Sequence, residues 1–282
     1  MKKVVLCFAA LVCTIGLQAQ VSTPESSPFS KVEQKVGLTD VTIEYSRPGV
    51  KGRTIFGGLE AYDKMWRTGA NKNTVVTFSD PVTINDYNLE AGSYALFTKP
   101  GASIWEVYFY SDTNNWGTPR NWDESKVVAI AKIKAEKTPA LVETFTIDIN
   151  NIKTDSAVME IKWENTSVRV PFMVPTDEKV LKSINSALNG TPKASDYYAS
   201  AAYYYNEGKD IKQAKEWIDK AINMMEEPAF YQIRQQALIY ARAGDKENAI
   251  KLAKESLEAS KKAGNMQYVK FNEESLKEWG AN

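Results

Sequence analysis

The chain has 282 residues, 35 basic and 35 acidic side chains, no histidine, and two cysteines, Cys7 and Cys13. Without an imidazole to take a proton near neutral pH, Ser-His-Asp and Cys-His mechanisms are excluded, and a catalytic zinc ion would lack its usual ligands. Balanced charge offers no general attraction to a phosphate backbone, so no nucleic-acid partner is expected.

Residues 1–19 have Lys2 and Lys3 ahead of an apolar run from Val4 to Gly16 and end on Ala19, the layout of an export signal. The expected location is therefore exported, periplasmic or extracellular. The apolar run is shorter than the roughly 20 residues a bilayer span needs. No later segment approaches that length, so no membrane span is expected in the mature chain. Cys13 follows Ala10, Leu11 and Val12, without the small residue that should precede an acylated cysteine, and both cysteines read as part of the leader. The mature chain is long enough for two domains, and without cysteine each has to be held by buried apolar area and hydrogen bonds.

Within a first domain expected over residues 27–175, the apolar residues from Val41 to Val174 recur at every second position. Val41, Ile43 and Tyr45 alternate with Thr42 and Glu44, and Trp105, Val107 and Phe109 with Glu106, Tyr108 and Tyr110; Phe145, Ile147 and Ile149 do the same, as do Val168, Val170, Phe172 and Val174. Further strands are expected at Thr74–Phe78, Val82–Asn85, Tyr94–Thr98, Val127–Lys134 and Ala157–Trp163, with Asn85–Asn88 and Ala91-Gly92 as turns. About nine short strands without an interrupting helix predict an all-β sandwich.

The densest stretch of this half runs from Tyr45 to Asn71. Arg47-Pro48-Gly49-Val50-Lys51-Gly52-Arg53 places Arg47, Lys51 and Arg53 on a loop shaped by glycine and proline. A guanidinium there suits a carboxylate or phosphate, Trp66 beside Arg67 could supply a stacking face for a sugar or a cation, and Asn71 and Thr74 would add neutral donors. Arg47, Lys51, Arg53, Trp66, Arg67 and Asn71 are thus the candidate ligand-binding residues, for a glycan or an anion. The competing structural reading puts Trp66 in the core, pairs Arg67 with Asp63 or Glu60, and leaves Gly57 and Gly69 to shape turns.

Tyr45-Ser46-Arg47-Pro48, Lys51-Gly52-Arg53, Ile55-Phe56-Gly57, Trp66-Arg67-Thr68-Gly69-Ala70-Asn71, Ala91-Gly92-Ser93-Tyr94, and Trp105 followed later by Trp116-Gly117 stand in an order that resembles an exported bacterial family, the domain of unknown function numbered 2911, over about residues 27–174. The resemblance implies that domain and no activity, cofactor or catalytic residue.

Asp112, Asn114, Asn115, Trp116, Arg120, Trp122, Asp123 and Glu124 form a polar, aromatic-rich loop without EF-hand spacing, and a solvated loop is expected rather than a metal site. No cofactor is expected. A paired-carboxylate glycosidase survives the absence of histidine, with Asp63, Glu90, Asp112, Asp123 and Glu124 as loop acids to draw on.

After Pro175 the period becomes helical. Residues 176–192 read as a linker helix stopped by Asn189-Gly190-Thr191-Pro192, and residues 193–282 as paired helices. Tyr198, Ala202, Tyr205, Ala214, Ile218 and Ala221 correspond to Ile233, Ala237, Tyr240, Ala249, Ala253 and Ser256 at a constant shift of 35. This spacing resembles the tetratricopeptide repeat, with Tyr or Ile where that family favours Trp, and implies a protein partner; a plain helical bundle is the alternative. The expected function is a non-enzymatic binding or interaction protein, and the alternative is a carbohydrate-active hydrolase using loop carboxylates.

Overall fold

The computed structural model describes residues 23–281, and the leader expected over residues 1–19 lies outside them. The chain divides into two compact units at the Pro175–Thr176 junction.

The first unit is a nine-stranded antiparallel sheet in the order β1-β2-β3-β6-β7-β8-β9-β4-β5, formed by β1 (Phe29–Val36), β2 (Thr39–Ser46), β3 (Thr74–Phe78), β4 (Val82–Ile84), β5 (Tyr87–Leu89), β6 (Gly92–Lys99), β7 (Ile104–Tyr110), β8 (Val127–Asn150) and β9 (Ser156–Met173). β8 gives the unit its two layers. Its first half pairs with β7 and its second with β9, and the register shifts between Lys137 and Val142 and again between Val142 and Thr146. Such irregularities bend a strand, and here the sheet doubles over so that the buried face of β2 meets the second half of β8. The Tyr45 hydroxyl spans the layers, donating to the Ile147 carbonyl at 3.1 Å and accepting from the Ile147 N–H at 3.0 Å. The sandwich expected from the sequence is present.

Two strands carry no period-two apolar signal, for a physical reason. β1 lies at the sheet edge, and its partly buried positions, Ser30, Val32 and Gln34, are mostly polar. β5 is three residues long and occupies part of the expected Asn85–Asn88 turn. Conversely, β8 and β9 each read as two strands, because the largely exposed charged stretch around Glu136–Glu143 and the left-handed Glu164, at φ 53°, interrupt the alternation.

The second unit holds α1 (Thr176–Leu188), α2 (Ala194–Asn206), α3 (Ile211–Asn223), α4 (Phe230–Arg242), α5 (Lys246–Lys262) and α6 (Met266–Glu278). Gly208, Gly244 and Gly264 take left-handed φ values of 65°, 83° and 69° between helices, and Asp210, Asp245 and Asn265 then cap α3, α5 and α6. Ala214, Ile218 and Ala221 of α3 and their shift-35 counterparts Ala249, Ala253 and Ser256 of α5 are all fully buried. Among the described residues no helix is long and apolar enough to cross a membrane. Asp210→Ala removes the carboxylate that accepts from the Lys212 N–H at 2.9 Å and the Gln213 N–H at 3.3 Å. It is expected to destabilise the helical unit by about 1 kcal/mol in urea unfolding followed by circular dichroism.

Candidate functional site

The dense motif begins on the last two residues of β2, Tyr45 and Ser46, and continues into the loop that leads to β3, a loop containing none of the nine strands. This loop is fixed by backbone pairing at several points. The Val50 N–H donates to the Glu143 carbonyl at 2.7 Å, the Phe145 N–H to the Pro48 carbonyl at 2.9 Å, and Trp66 exchanges two bonds with Thr98 at 2.7 and 2.9 Å. Lys51, Asp63, Thr68 and Asn71 all sit in the left-handed region, at φ 50°, 59°, 55° and 59°. For a β-branched residue such as Thr68 that conformation is strained, by about 1–3 kcal/mol, and it survives only where the surroundings dictate it. Thr68 is fully buried, its hydroxyl donates to the Thr98 hydroxyl at 3.1 Å, and the Thr74 hydroxyl donates to its carbonyl at 2.5 Å.

The six candidate residues separate into two groups. Trp66 is 4% exposed, so it is a core residue and no stacking platform. It stacks on Trp163 at 5.8 Å, meets Phe145 at 5.2 Å and Phe56 at 6.0 Å edge-on, and donates its indole N–H to the Gly69 carbonyl at 3.1 Å. Arg47 joins the layers, with Nε donating to the Phe145 carbonyl at 2.9 Å and Nη2 to the Thr146 hydroxyl at 2.7 Å. Asn71 donates to the Ser27 carbonyl at 3.3 Å and the Ser46 hydroxyl at 3.2 Å, and lines a separate groove of about 490 Å³ with Lys72, Phe29 and the exposed Trp116. The structural alternative describes Trp66, which is core; Arg47, which that alternative does not cover, is bonded across the layers, and neither side chain lines the cleft that holds the other cations.

Lys51, Arg53 and Arg67 stay together. They line one cleft of about 280 Å³ with Glu60, Ser26, Ser27 and Trp163. Arg53 is folded back on its own loop, Nε donating to the Val50 carbonyl at 3.0 Å and Nη2 to the Gly49 carbonyl at 2.7 Å. Arg67 forms no ion pair with Asp63 or Glu60, and its buried Nε has no acceptor; the buried indole N–H of Trp163 has none either. Gly117 explains how Arg67 is placed. With φ 92°, Gly117 lies so close that a Cβ there would stand 2.9 Å from Arg67 Nη1, so a side chain would push the guanidinium aside.

Burial raises the Glu60 carboxyl from an ordinary 4.5 to about 7, against the opposing fields of Arg67 and Arg53. Glu60 is the one acid lining the cleft among the described residues. The folded state therefore holds its proton more tightly than the unfolded chain does. The associated stability is complete below pH 4.5 and is lost as pH climbs through 7. Glu60→Gln is expected to match the parent near pH 5 and to exceed it by about 1–2 kcal/mol at pH 8, measured by urea unfolding at both values.

Asp63, Glu90, Asp112, Asp123 and Glu124 are all absent from the cleft lining. Asp112 pairs with Lys126 at 2.8 Å, and Asp123 accepts from the Ser125 hydroxyl at 2.6 Å and the Ser125 N–H at 3.0 Å. Those bonds hold both carboxyls below the usual range, the opposite of what a general acid needs. The loop is also less solvated than its composition implies. Trp122 stacks on Tyr110 at 4.6 Å and covers the outer face of β6 and β7. Among the described residues no group of three or more acidic side chains is placed to hold a metal ion.

Residues 27–172 match the family described as protein of unknown function (DUF2911). The chain belongs to this family. The DUF2911 match takes in Lys51, Arg53, Glu60, Arg67 and Trp163 and ends before α1, so it says nothing of the helical unit. No curated protein and no solved structure matches the chain. Within the DUF2911 unit, the aromatic landmarks Phe56, Trp66 and Trp105 form one packed ring cluster with Phe145 and Trp163, which supports the cleft from below. Sequence reasoning named Glu60 only as a partner for Arg67 and Trp163 only as a strand residue; their meeting depends on β9 passing under the loop.

Proposed function

We propose that this is an exported, non-enzymatic binding protein whose β unit takes a small anion, a carboxylate or a phosphate, in the Lys51–Arg53–Arg67 cleft. The observation that carries this reading is the pair of buried donors without acceptors, Arg67 Nε and Trp163 Nε1, on two residues that line a cleft whose remaining charged groups are two cations and one carboxyl with a pKa of about 7. Orphaned buried donors are uncommon in folded proteins and mark where an acceptor belongs. An anion supplies acceptor oxygens, and the protonated form of Glu60 adds a donor instead of a repelling charge. About 280 Å³ suits one small molecule, not a polymer strand. The single acid in the cleft supports binding over a hydrolase that needs two opposed carboxylates.

The export part of the proposal rests on Lys2, Lys3 and the apolar run that follows them. For the helical unit, the reading is a tetratricopeptide-like pair of repeats that contacts another protein. The buried shift-35 counterparts on α3 and α5 support it, and Tyr268 of α6 stands 35 residues after Ile233. Calorimetric titration of the mature protein with sulfate, phosphate, succinate and glucose tests the cleft. The anions are expected to bind and glucose to give no heat; equal binding of glucose, or no heat from any anion at millimolar concentration, overturns the reading.

A further inference from the structure

The helical unit has a groove of about 310 Å³ where α2, α4 and α6 present Tyr198, Tyr231, Tyr268 and Phe271 around Arg234 and Gln235. Arg234 is half-buried, yet its guanidinium meets only neutral partners. Nη1 donates to Asn272 Oδ1 at 3.0 Å, Nη2 donates to the Ser275 hydroxyl at 3.2 Å, and the plane lies 5.6 Å from the Phe271 ring. Glu274, the acid whose field reaches Arg234, is exposed on α6 and faces Lys270 at 3.8 Å. Two partly buried lysines of this unit do have carboxylates, Lys215 with Asp245 at 2.8 Å and Lys209 with Asp177 at 2.6 Å. Next to Arg234 on α4, Gln235 buries its Nε2 without an acceptor. The groove thus combines a half-buried cation with no carboxylate bonded to it, an unused amide donor and aromatic walls.

We infer that this groove binds an acidic residue of an extended partner polypeptide, with the Asp or Glu carboxylate on Arg234 and Gln235 and a neighbouring apolar side chain against the tyrosine rings. The inference rests on the reading of the helical unit as a protein-contact module and specifies what that module recognises. Three things favour an acidic segment over an apolar or basic one. A carboxylate presents two acceptor oxygens, enough for the remaining guanidinium N–H groups and the orphaned amide together. A half-buried guanidinium is more strongly attracted to an anion than an exposed one, because the surrounding dielectric is lower. Tyr231 lies on α4 and Tyr268 on α6, so the aromatic surface extends along the groove past the cation, as a chain segment requires and a lone small acid does not.

The test is selection from a randomised octapeptide display library on the full mature protein, followed by fluorescence polarisation of the best peptide and of its Asp→Asn or Glu→Gln counterpart. Selected peptides are expected to share one acidic position beside an apolar residue. The amide counterpart and the Arg234→Met variant should each weaken binding at least tenfold. Should Arg234→Met unfold early, Gln235→Leu, which keeps the bonds of Arg234, must weaken the peptide at least threefold. Selected peptides without a shared acid, or undiminished binding by these variants, overturn the inference while leaving a protein-contact role intact. If no peptide is selected at all, both fall.

Discussion

Trp66→Ala is expected to destabilise the β unit by about 4 kcal/mol in urea unfolding followed by intrinsic fluorescence. The indole is 4% exposed and is surrounded by Phe56, Trp105, Phe145 and Trp163 at centroid distances of 6.0, 6.3, 5.2 and 5.8 Å. Truncation removes that burial, leaves a cavity that rigid neighbouring rings fill poorly, and orphans the Gly69 carbonyl that accepts the indole N–H. The Trp66 indole stacks on Trp163, which lines the cleft, so anion binding should weaken as well. A loss below 1 kcal/mol would mean that Trp66 is an accessible platform and that the packing described above is wrong.

The Arg53→Met/Arg67→Met double variant should bind sulfate roughly 100-fold more weakly than the parent. Each guanidinium contributes at least one charge-assisted bond worth about 1.5–3 kcal/mol, and two such losses at the lower end of that range, about 3 kcal/mol together, convert to a change of that size at about 1.4 kcal/mol per factor of ten. Arg47→Met is the control. It breaks the bonds to Phe145 and Thr146 that join the layers, so stability should fall by about 1–3 kcal/mol while sulfate affinity holds, because Arg47 is absent from the cleft lining. Undiminished sulfate binding by the double variant, with the fold intact, would make the cationic loop purely structural.

Fold was legible wherever burial and sequence period coincide. Val41, Ile43 and Tyr45 alternate because one face of β2 is dry, and Asp210, Asp245 and Asn265 mark helix starts through their own side-chain caps. β1 escaped because an edge strand buries little and so tolerates Gln34 on its inner face. The site was legible by half. Lys51, Arg53 and Arg67 were found because cations on a glycine loop are visible locally. The role of Trp66 was not, since an indole beside an arginine reads alike as platform or core until its neighbours are known. Glu60 and Trp163 could not be assembled with the arginines from spacing alone: Trp163 is almost a hundred positions from Arg67 and reaches it only through the doubled sheet.

Sulfate affinity measured by calorimetry from pH 5.5 to 8.5 bears most directly on the cleft, because sulfate keeps a constant charge over that range and Glu60 does not. Affinity in the parent is expected to fall as pH rises through about 7, where Glu60 becomes a carboxylate facing the anion and competing for Arg67 and Arg53, and to stay level in Glu60→Gln. A parent profile that is flat or rises with pH, or one that Glu60→Gln reproduces, would contradict an anion site built around Glu60 and the two arginines.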